Sequence, residues 1–326
     1  MRAALCLMAA AFALAAQPKL LVNAKVDSRS GASLDSEFKA LLGAQPQPAW
    51  VMYDVPAVHN SNLSCEYVRD GYASPGVIHL EPPDHAVILL RVESKRVDKI
   101  RTLSPDCEID AGGLPVHWLT GVPPGQSVAL LSGYVPQQEL SGIGAVQAIA
   151  AHADASADAA LDRLLAATQP EWLRRSTAQL VASQRGRHGV EAAKSLIAND
   201  PSENVRQAAI NGLARNKEPE ALDVLIAAAR SGHNPRLRAQ AISGLNRKPG
   251  QPVLDALQFA IANDPDVTVR RRAVEVLGSL PDDAGVPLLI QLVKTSKDTD
   301  VRKQAMNKLE NSHDARAQAF FEEVLK

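Results

Sequence analysis

The spacing of apolar residues repeats every 32 residues through the C-terminal half of the chain. In each repeat an arginine follows an apolar residue, and further apolar or small residues stand three, four and seven positions after it. These positions share one face of an α-helix. The repeated arginines are Arg174, Arg206, Arg238, Arg270 and Arg302. Five copies in register predict five amphipathic helices with buried apolar faces.

Each repeat also contains a second apolar cluster, 18 to 23 positions after the arginine. Val224-Leu225 with Ala228-Ala229 is one example, and Asp200-Pro201 and Asp264-Pro265 mark turns ahead of first helices. A degenerate unit, with Gly142 at the arginine position, extends the register towards the N-terminus. The pattern predicts about six helical hairpins that bury their apolar faces only against neighbours, and therefore an α-solenoid.

Residues 17–138 follow a different pattern, in which short apolar runs are separated by turns rich in Pro, Gly and Asp. Strands are predicted at 50–55, 86–92 and 97–103. The last two are expected to form a hairpin across 93–96, and a helix is predicted at about 33–42. This part is expected to be a small β-rich α+β domain ahead of the solenoid at 139–326. The order of its strands does not follow from the pattern.

Residues 1–16 have the layout of a secretory signal peptide. Arg2 supplies a positive start, an uncharged apolar segment runs on to Leu14, and the small residues Ala15 and Ala16 offer a cleavage site. The apolar segment is shorter than the roughly 20 residues that span a bilayer. A periplasmic or secreted protein, with no integral membrane segment in its mature chain, is therefore expected.

The expected export affects how the cysteines are interpreted. Removal of the signal leaves Cys65 and Cys107, and two thiols in an oxidising compartment usually pair. A metal or redox site is the alternative, but the chain contains no Cys-x-x-Cys motif. We predict a disulfide between these two residues.

The charge of the chain does not indicate a polyanionic partner. The chain carries 35 Lys and Arg against 36 Asp and Glu, and residues 142–326 carry 24 against 22. A groove for nucleic acid needs a far larger positive excess, because it neutralises many phosphates. Aromatic residues make up only 4% of the chain, which favours closely packed helices. No nucleic acid is expected as a partner.

The repeat unit, Asp-Pro-x-x-x-Val-Arg-x-x-Ala-[Ile/Val]-x-x-Leu, resembles the bacterial HEAT repeat of the PBS-lyase type over residues 142–326. The resemblance implies a right-handed superhelix, with first helices on its convex side and second helices along its concave side. It also implies scaffolding or protein binding, with a protein or peptide as the partner. Residues 17–138 resemble no named family.

Two enzyme families share such repeats, and both are disfavoured as models for this chain. Deoxyhypusine hydroxylase binds iron through His-Glu pairs, whereas none of the eight histidines here is followed by glutamate. Phycobilin lyases act on cytosolic clients that an exported protein would not meet. No metal, cofactor or catalytic residue is therefore predicted.

The arginine that recurs in each repeat has two interpretations. A row of five arginines could bind an anion, but a residue present in every repeat more often makes a hydrogen bond or salt bridge between repeats. We favour the structural role for this ladder of Arg174, Arg206, Arg238, Arg270 and Arg302.

Polar residues of the second helices form the candidate binding surface. They stand 17 to 24 positions after the arginine, roughly one turn apart, and they vary in sign between repeats, unlike the core positions. A partner surface and an idle solvated face would both show such variation. The candidate residues are Glu191, Lys194, Asp223, Arg230, Asp255, Gln258, Gln291 and Lys294.

Two groups of titratable residues in the N-terminal domain are candidates for metal or catalytic sites. They are His79, Asp84 and His85, and then Asp106, Glu108, Asp110 and His117. Neither group has the spacing of a zinc helix or a calcium loop, and no nucleophile elbow or phosphate loop occurs. The aromatic residues expected in the core of this domain are Trp50, Tyr53, Trp118 and Tyr134.

We therefore expect a non-enzymatic scaffold or adaptor of the bacterial cell envelope or exterior, which binds through the concave face of the array. The alternative is an N-terminal hydrolase or sensor domain that the array regulates. A pocket that holds His79 or His117 beside a carboxylate would favour the alternative.

Overall fold

A computed structural model describes residues 21–44, 47–59, 63, 65, 83–136, 140–232, 234–248 and 250–324. The predicted signal peptide and His79 lie outside the described residues. The chain forms two compact units, residues 1–157 and 158–326. The division therefore comes later than the boundary expected after residue 138.

The first unit is built on a five-stranded mixed sheet. Its strands are β2 (Lys25–Ser30), β3 (Ala49–Pro56), β4 (His85–Glu93), β5 (Arg96–Leu103) and β7 (Pro115–Thr120), while β1 (Leu21–Val22) pairs with β6 (Ile109–Asp110) separately. The order across the sheet is β2-β7-β3-β4-β5, with β7 parallel to both neighbours and the other pairs antiparallel. The expected hairpin is present as β4 and β5. Its turn places Ser94 and Lys95 at φ 52° and 60°, as a tight hairpin turn requires.

Strands β3 and β4 are buried on both faces because the sheet lies between two layers. On one face lie α1 (Leu34–Ala44), α2 (Pro124–Ser132) and α3 (Leu140–Ala151), where α1 packs on α2, α2 on α3 and α3 on β5. Tyr53 points to this face, and its hydroxyl contacts Ser127 of α2. Met52, the preceding residue, points to the opposite face.

The opposite face of the sheet carries the predicted disulfide between Cys65 and Cys107. Cys107 is buried in an apolar cluster with Met52 and Trp118. The cross-link closes a sequence separation of 42 residues and contributes roughly 2–4 kcal/mol by restricting the unfolded chain. Of the four aromatic residues expected in the core, two are fully buried and two half-buried: Tyr53 and Trp118, then Trp50 and Tyr134.

Helix α3 belongs to the first unit because it packs directly on strand β5. Gly144 lies at this contact, where a Cβ atom would overlap the Ile100 carbonyl group and lie 2.9 Å from its carbon. The neighbouring Ala145, Ala148 and Ile149 are fully buried. The sequence pattern placed this segment in a degenerate repeat; in the structure its small residues allow the helix to approach the strand closely.

The second unit is an array of helical hairpins, as the 32-residue period predicts. The division between the units falls in α4 (Ala155–Leu165), and five hairpins follow it. They are α5 (Glu171–Gln184) with α6 (Gly186–Asn199), α7 (Glu203–Leu213) with α8 (Glu220–Ser231), α9 (Pro235–Leu245) with α10 (Gln251–Asn263), α11 (Val267–Leu277) with α12 (Val286–Thr295), and α13 (Thr299–Glu310) with α14 (Ala315–Val324). First helices pack on first helices along the array, which confirms the α-solenoid.

The core of the array consists of the apolar positions of the repeat. In the repeat of Arg206, for example, Val205, Ala209, Ile210 and Leu213 are fully buried. The first helices α7, α9, α11 and α13 begin at polar caps, whose side chains accept a hydrogen bond from an N–H of the first turn. The capping residues are Ser202, Asn234, Asp266 and Asp298.

Candidate functional site

Three arginines of the ladder, Arg174, Arg238 and Arg270, bind aspartates in the connection that leads to the next hairpin. Arg174 donates from Nε and Nη2 to the two carboxylate oxygens of Asp200, at 3.1 and 3.2 Å. Arg238 binds Asp264 in the same way, at 2.7 and 2.9 Å. Bidentate pairs of this kind are the strong form of the arginine–carboxylate interaction.

The same guanidinium groups also satisfy backbone carbonyls near helix ends. Arg174 donates from Nη1 to the Gln169 carbonyl oxygen at 2.6 Å, and Arg270 donates to that of Asp264 at 2.9 Å. Arg270 also binds the Asp298 carboxylate, at 3.0 Å. Carbonyls at helix ends have no partner within the helix, so these contacts account for a structural role of the ladder.

Burial of the ladder decreases towards the C-terminus. The side chains of Arg174 and Asp200 are 7% and 2% exposed, whereas those of Arg270 and Asp298 are 22% and 31% exposed. Arg302, in the last repeat, is exposed. Each arginine therefore depends on its partner to a different degree, because desolvated charges need their counterions most.

The structure also shows a tie between repeats that the sequence pattern did not reveal. Asn216 is buried and donates to the carbonyl oxygens of Ala182 and Gly186, at 2.7 and 3.0 Å. Lys248, in the next repeat, donates to the Asn216 carbonyl oxygen, and burial lowers the pKa of its ammonium group. The available signal was a polar residue ten positions after four of the five ladder arginines: Gln184, Asn216, Lys248 and Ser312.

Acid is expected to weaken the ladder at Asp264. Burial acts to raise the pKa of Asp264, but hydrogen bonds from Arg238 and the Asp266 N–H, together with the charges of Arg238 and Arg270, hold the pKa below its ordinary value. Such a carboxylate stabilises the fold above its unfolded pKa of about 3.9. This contribution is lost as the pH falls through the lower folded pKa.

We expect Asp264→Asn to lower the free energy of unfolding of the array by about 2 kcal/mol near neutral pH, because Arg238 loses a charged partner. As the pH falls from neutral through the lowered pKa of Asp264, the wild-type carboxyl group is protonated as well, so the difference between the two proteins should shrink. Urea unfolding followed by far-UV circular dichroism across this pH range measures the difference. A difference independent of pH would contradict the lowered pKa.

All eight candidate residues of the second helices are exposed. We call the exposed side of α6, α8, α10 and α12 that carries them the second-helix face. Two of its cations reach the next hairpin. The Arg230 guanidinium lies 5.0 Å from the centre of the Phe259 ring, and the Lys294 ammonium lies 3.3 Å from Glu323 and 5.5 Å from the centre of the Phe320 ring. These contacts hold the cations in place across repeats.

Two cavities lie on the second-helix face at equivalent positions of the repeat. The larger, of about 480 Å³, lies between α10 and α12 and is lined in part by Gln258 and Gln291. The smaller, of about 200 Å³, lies between α6 and α8 and is lined in part by Lys194. Counted from the ladder arginine of each repeat, both cavities are lined by the residues at positions 20, 23 and 24 of one repeat and at positions 18, 21, 22, 25 and 26 of the next.

The cavities bring together only some of the candidate residues. Lys194, Gln258 and Gln291 line them, while Glu191, Asp223 and Asp255 stand on the exposed side without lining either one. The larger cavity has a simple cause in helix packing. Helix α8 packs on both α6 and α10, whereas α10 and α12 have almost no backbone contact.

His117 is the candidate of the first unit that pairs with a carboxylate. Its Nδ1 lies 2.5 Å from Asp27, on the neighbouring strand β2, and its side chain is 10% exposed. Arg29 also binds Asp27, at 2.8 Å. Burial acts to raise the pKa of Asp27, but the hydrogen bond from Arg29 and the neighbouring His117 hold it below its ordinary value.

Two other titratable candidates have partners near them. Asp110 accepts a hydrogen bond from Asn23 at 3.1 Å, and Asp84 pairs with the adjacent His85 at 3.0 Å. Within the described residues, no three His, Cys, Asp or Glu side chains are arranged to hold a metal ion.

A serine–histidine couple that the sequence did not reveal lies under α2. His152 Nδ1 bonds the Ala148 carbonyl oxygen at 2.7 Å, so Nδ1 carries the proton and Nε2 accepts from the Ser127 hydroxyl at 2.9 Å. Tyr53 in turn donates to Ser127, also at 2.9 Å, and burial raises the pKa of Tyr53. Ser127, His152 and Tyr53 are each 0% exposed, so the hydroxyl is closed off from solvent in this structure.

Comparison with protein families identifies the array. The family model for HEAT repeats matches residues 157–246, 190–266 and 253–326, which together span more than half of the chain. The chain belongs to the HEAT-repeat family. The matched HEAT region coincides with the second unit, and HEAT repeats typically mediate protein interactions. None of the described helices has the length and apolar character that crossing a membrane demands.

Comparison with solved structures finds matches at low sequence identity. The complex of CpcE and CpcF of phycocyanin lyase from Nostoc sp. PCC7120 is 22% identical, over 48% of this chain and 99% of that one, with a TM-score of 0.35. Human deoxyhypusine hydroxylase is 15% identical over 61% and 89%, with a TM-score of 0.28. Kap95p, from a structure with RanGDP, is 17% identical over 60% and 33%, with a TM-score of 0.38. The curated protein sequences contain no match.

Proposed function

We propose that this HEAT-repeat protein is a non-enzymatic adaptor of the cell envelope or exterior, which binds a protein or peptide through the second-helix face. The observation that carries the proposal is the pair of cavities at equivalent positions of the repeat, 64 residues apart in register. An extended polypeptide that lies across successive second helices would meet both cavities.

The larger cavity has the chemistry of a polypeptide site. Leu288, Leu292 and Ile261 give it an apolar wall, and the amides of Gln258 and Gln291 offer both donors and acceptors. Binding sites in proteins commonly combine an apolar wall with a few polar groups that fix orientation. A side chain of the partner would fill the cavity while its backbone bonds the two amides.

The location and the absence of catalysis rest on separate observations. A signal-like segment at 1–16 and the Cys65–Cys107 disulfide both support an oxidising, extracytoplasmic compartment. The fully buried Ser127–His152 couple supports a structural and not a catalytic first unit.

The proposal is tested by charge reversal on the second-helix face. The mature chain is fixed to a resin and exposed to an envelope extract of the source organism, and the retained proteins are identified by mass spectrometry. We expect wild type to retain a partner that the triple variant Glu191→Lys, Asp223→Lys and Asp255→Lys loses, because all three carboxylates are exposed on this face.

A matched control changes the net charge equally at residues that do not belong to the second-helix face. The variant Asp35→Lys, Glu108→Lys and Glu310→Lys alters exposed carboxylates of α1, a loop and a first helix. It should retain the partner as wild type does. Equal retention by both triple variants would contradict the proposal.

A further inference from the structure

One step of the arginine ladder lacks its carboxylate. The aspartate partner stands 26 positions after the arginine in two repeats: Asp200 for Arg174, and Asp264 for Arg238. For Arg270 this position is Ser296, and Asp298 supplies the carboxylate instead. For Arg206 the position is Gly232, which has no side chain to offer.

The Arg206 guanidinium is therefore only partly satisfied. Nη1 donates to the Asp200 carbonyl oxygen at 2.7 Å, but Nε is buried and has no acceptor. In the described part of the chain no carboxylate pairs with this guanidinium. In Arg174 and Arg238, Nε and Nη2 form the fork that holds both oxygens of a carboxylate. The corresponding fork of Arg206 is free to bind a carboxylate from elsewhere.

The backbone at Gly232 follows the same path as at the ladder aspartates. Its φ and ψ are −55° and 136°, against −66° and 132° at Asp200 and −69° and 129° at Asp264. The repeat therefore keeps its shape at this step, and only the carboxylate is missing. The other two aspartates bind their arginines from this backbone conformation.

The position of the missing carboxylate adjoins a cavity. Gly232 lines the smaller cavity of the second-helix face, between α6 and α8. The wall of this cavity is aliphatic, with Ile197, Val224 and Leu237, and the cation Lys194 also lines it. An anion attached to an aliphatic group would match this wall, Lys194 and the nearby step of the ladder at Arg206.

We propose that this step of the ladder binds the C-terminal carboxylate of a peptide whose last side chain is aliphatic. The carboxylate takes the place that Asp200 and Asp264 occupy in their repeats, on the fork of Arg206, and the side chain enters the cavity beside Gly232. The inference rests on the proposed function, since it names the chemistry of a partner for the same face.

The geometry favours a chain terminus over an internal acidic side chain. A C-terminal residue carries its carboxylate and its side chain on the same carbon atom, so the two groups diverge at once. The site has the same layout, with the place of the carboxylate and the aliphatic wall meeting at Gly232. Guanidinium groups recognise planar carboxylates with two parallel hydrogen bonds.

The test uses fluorescein-labelled pentapeptides and fluorescence anisotropy with the full mature chain. One peptide ends in leucine with a free carboxylate, a second is the same peptide with an amidated terminus, and a third is amidated but carries an internal glutamate. We expect the free-acid peptide to bind at least about tenfold more tightly than either amidated peptide, as loss of charged hydrogen bonds implies.

Two variants of the protein locate the binding. Arg206→Gln should lower the affinity for the free-acid peptide by about tenfold. Arg215→Gln, which replaces an exposed arginine of the same repeat, should leave that affinity unchanged. Gly232→Asp should abolish binding by supplying the carboxylate within the chain. Its Cβ would lie 2.7 Å from the Ala228 carbonyl oxygen, so circular dichroism must show that this variant keeps the wild-type helix content.

Several results would overturn the inference. They are the absence of saturable binding, equal affinity for the free-acid and amidated peptides, equal affinity for the free-acid peptide and the amidated peptide with an internal glutamate, and wild-type affinity of the Arg206→Gln variant. The proposed function is judged separately, because the charge-reversal triple on the second-helix face leaves Arg206 and Gly232 intact. Loss of the partner in that triple, with no peptide binding here, would reject this inference alone.

Discussion

Replacing Asp200 by alanine is expected to lower the free energy of unfolding of the array by about 3–5 kcal/mol. Asp200 and Arg174 form the most buried pair of the ladder, with side chains 2% and 7% exposed. The substitution leaves a guanidinium in the interior without its counterion. It also removes the acceptor of the Ser202 N–H, which Asp200 binds at 2.8 Å. Urea unfolding monitored by helix signal in circular dichroism measures the loss.

The size of this effect is checked by two further variants. Asp223→Ala removes an exposed carboxylate of α8 and should change stability by less than about 0.5 kcal/mol. The double variant Arg174→Leu with Asp200→Ala should be more stable than Asp200→Ala alone, because it removes the orphaned charge. A cost below about 1 kcal/mol for Asp200→Ala would show that this pair does not hold the repeats together.

Replacing Gly144 by alanine is expected to destabilise the first unit by about 2–4 kcal/mol. The added Cβ would overlap the Ile100 carbonyl group, which is backbone of strand β5 and cannot rotate away. Helix α3 would have to move off the strand, and the buried Ala145 and Ile149 would lose part of their contacts. Hydrogen exchange of β5 and α3, measured by mass spectrometry, should increase in this variant.

A second glycine in a helix of the same unit provides the control. Gly43 lies in α1 and has nothing within 4 Å of the position of a Cβ atom. Gly43→Ala should stabilise the unit by about 0.5–1 kcal/mol, because alanine loses less backbone entropy in a helix. Opposite signs for the two substitutions are the expected result. Stabilisation by both would mean that α3 does not approach β5 closely.

The candidate binding face was accessible to sequence reasoning only in part. The exposure of all eight polar residues follows from the helical period, since they stand opposite the buried positions. The cavities do not follow from it. They depend on how far apart neighbouring second helices lie, and the loose approach of α10 and α12 arises from packing that no single repeat encodes.

The step of the ladder at Arg206, which lacks a carboxylate, was also accessible to sequence reasoning only in part. The sequence contains both Arg206 and Gly232, and a strict comparison of repeats reveals that an aspartate is missing. The role of the missing aspartate could be inferred only from the contacts in the other repeats. Only the bidentate pairs of Arg174 and Arg238 show that position 232 is where a carboxylate belongs.

The sequence by itself determined the solenoid of the second unit, its period, its core positions and the pairing of Cys65 with Cys107. Local periodicity suffices there, because each hairpin packs against its neighbours and the core positions recur at a fixed separation. The tertiary structure alone decided the strand order of the first unit, the place of α3 against β5, and the buried Ser127–His152 couple. These features join residues far apart in sequence, and no repeating pattern records such contacts.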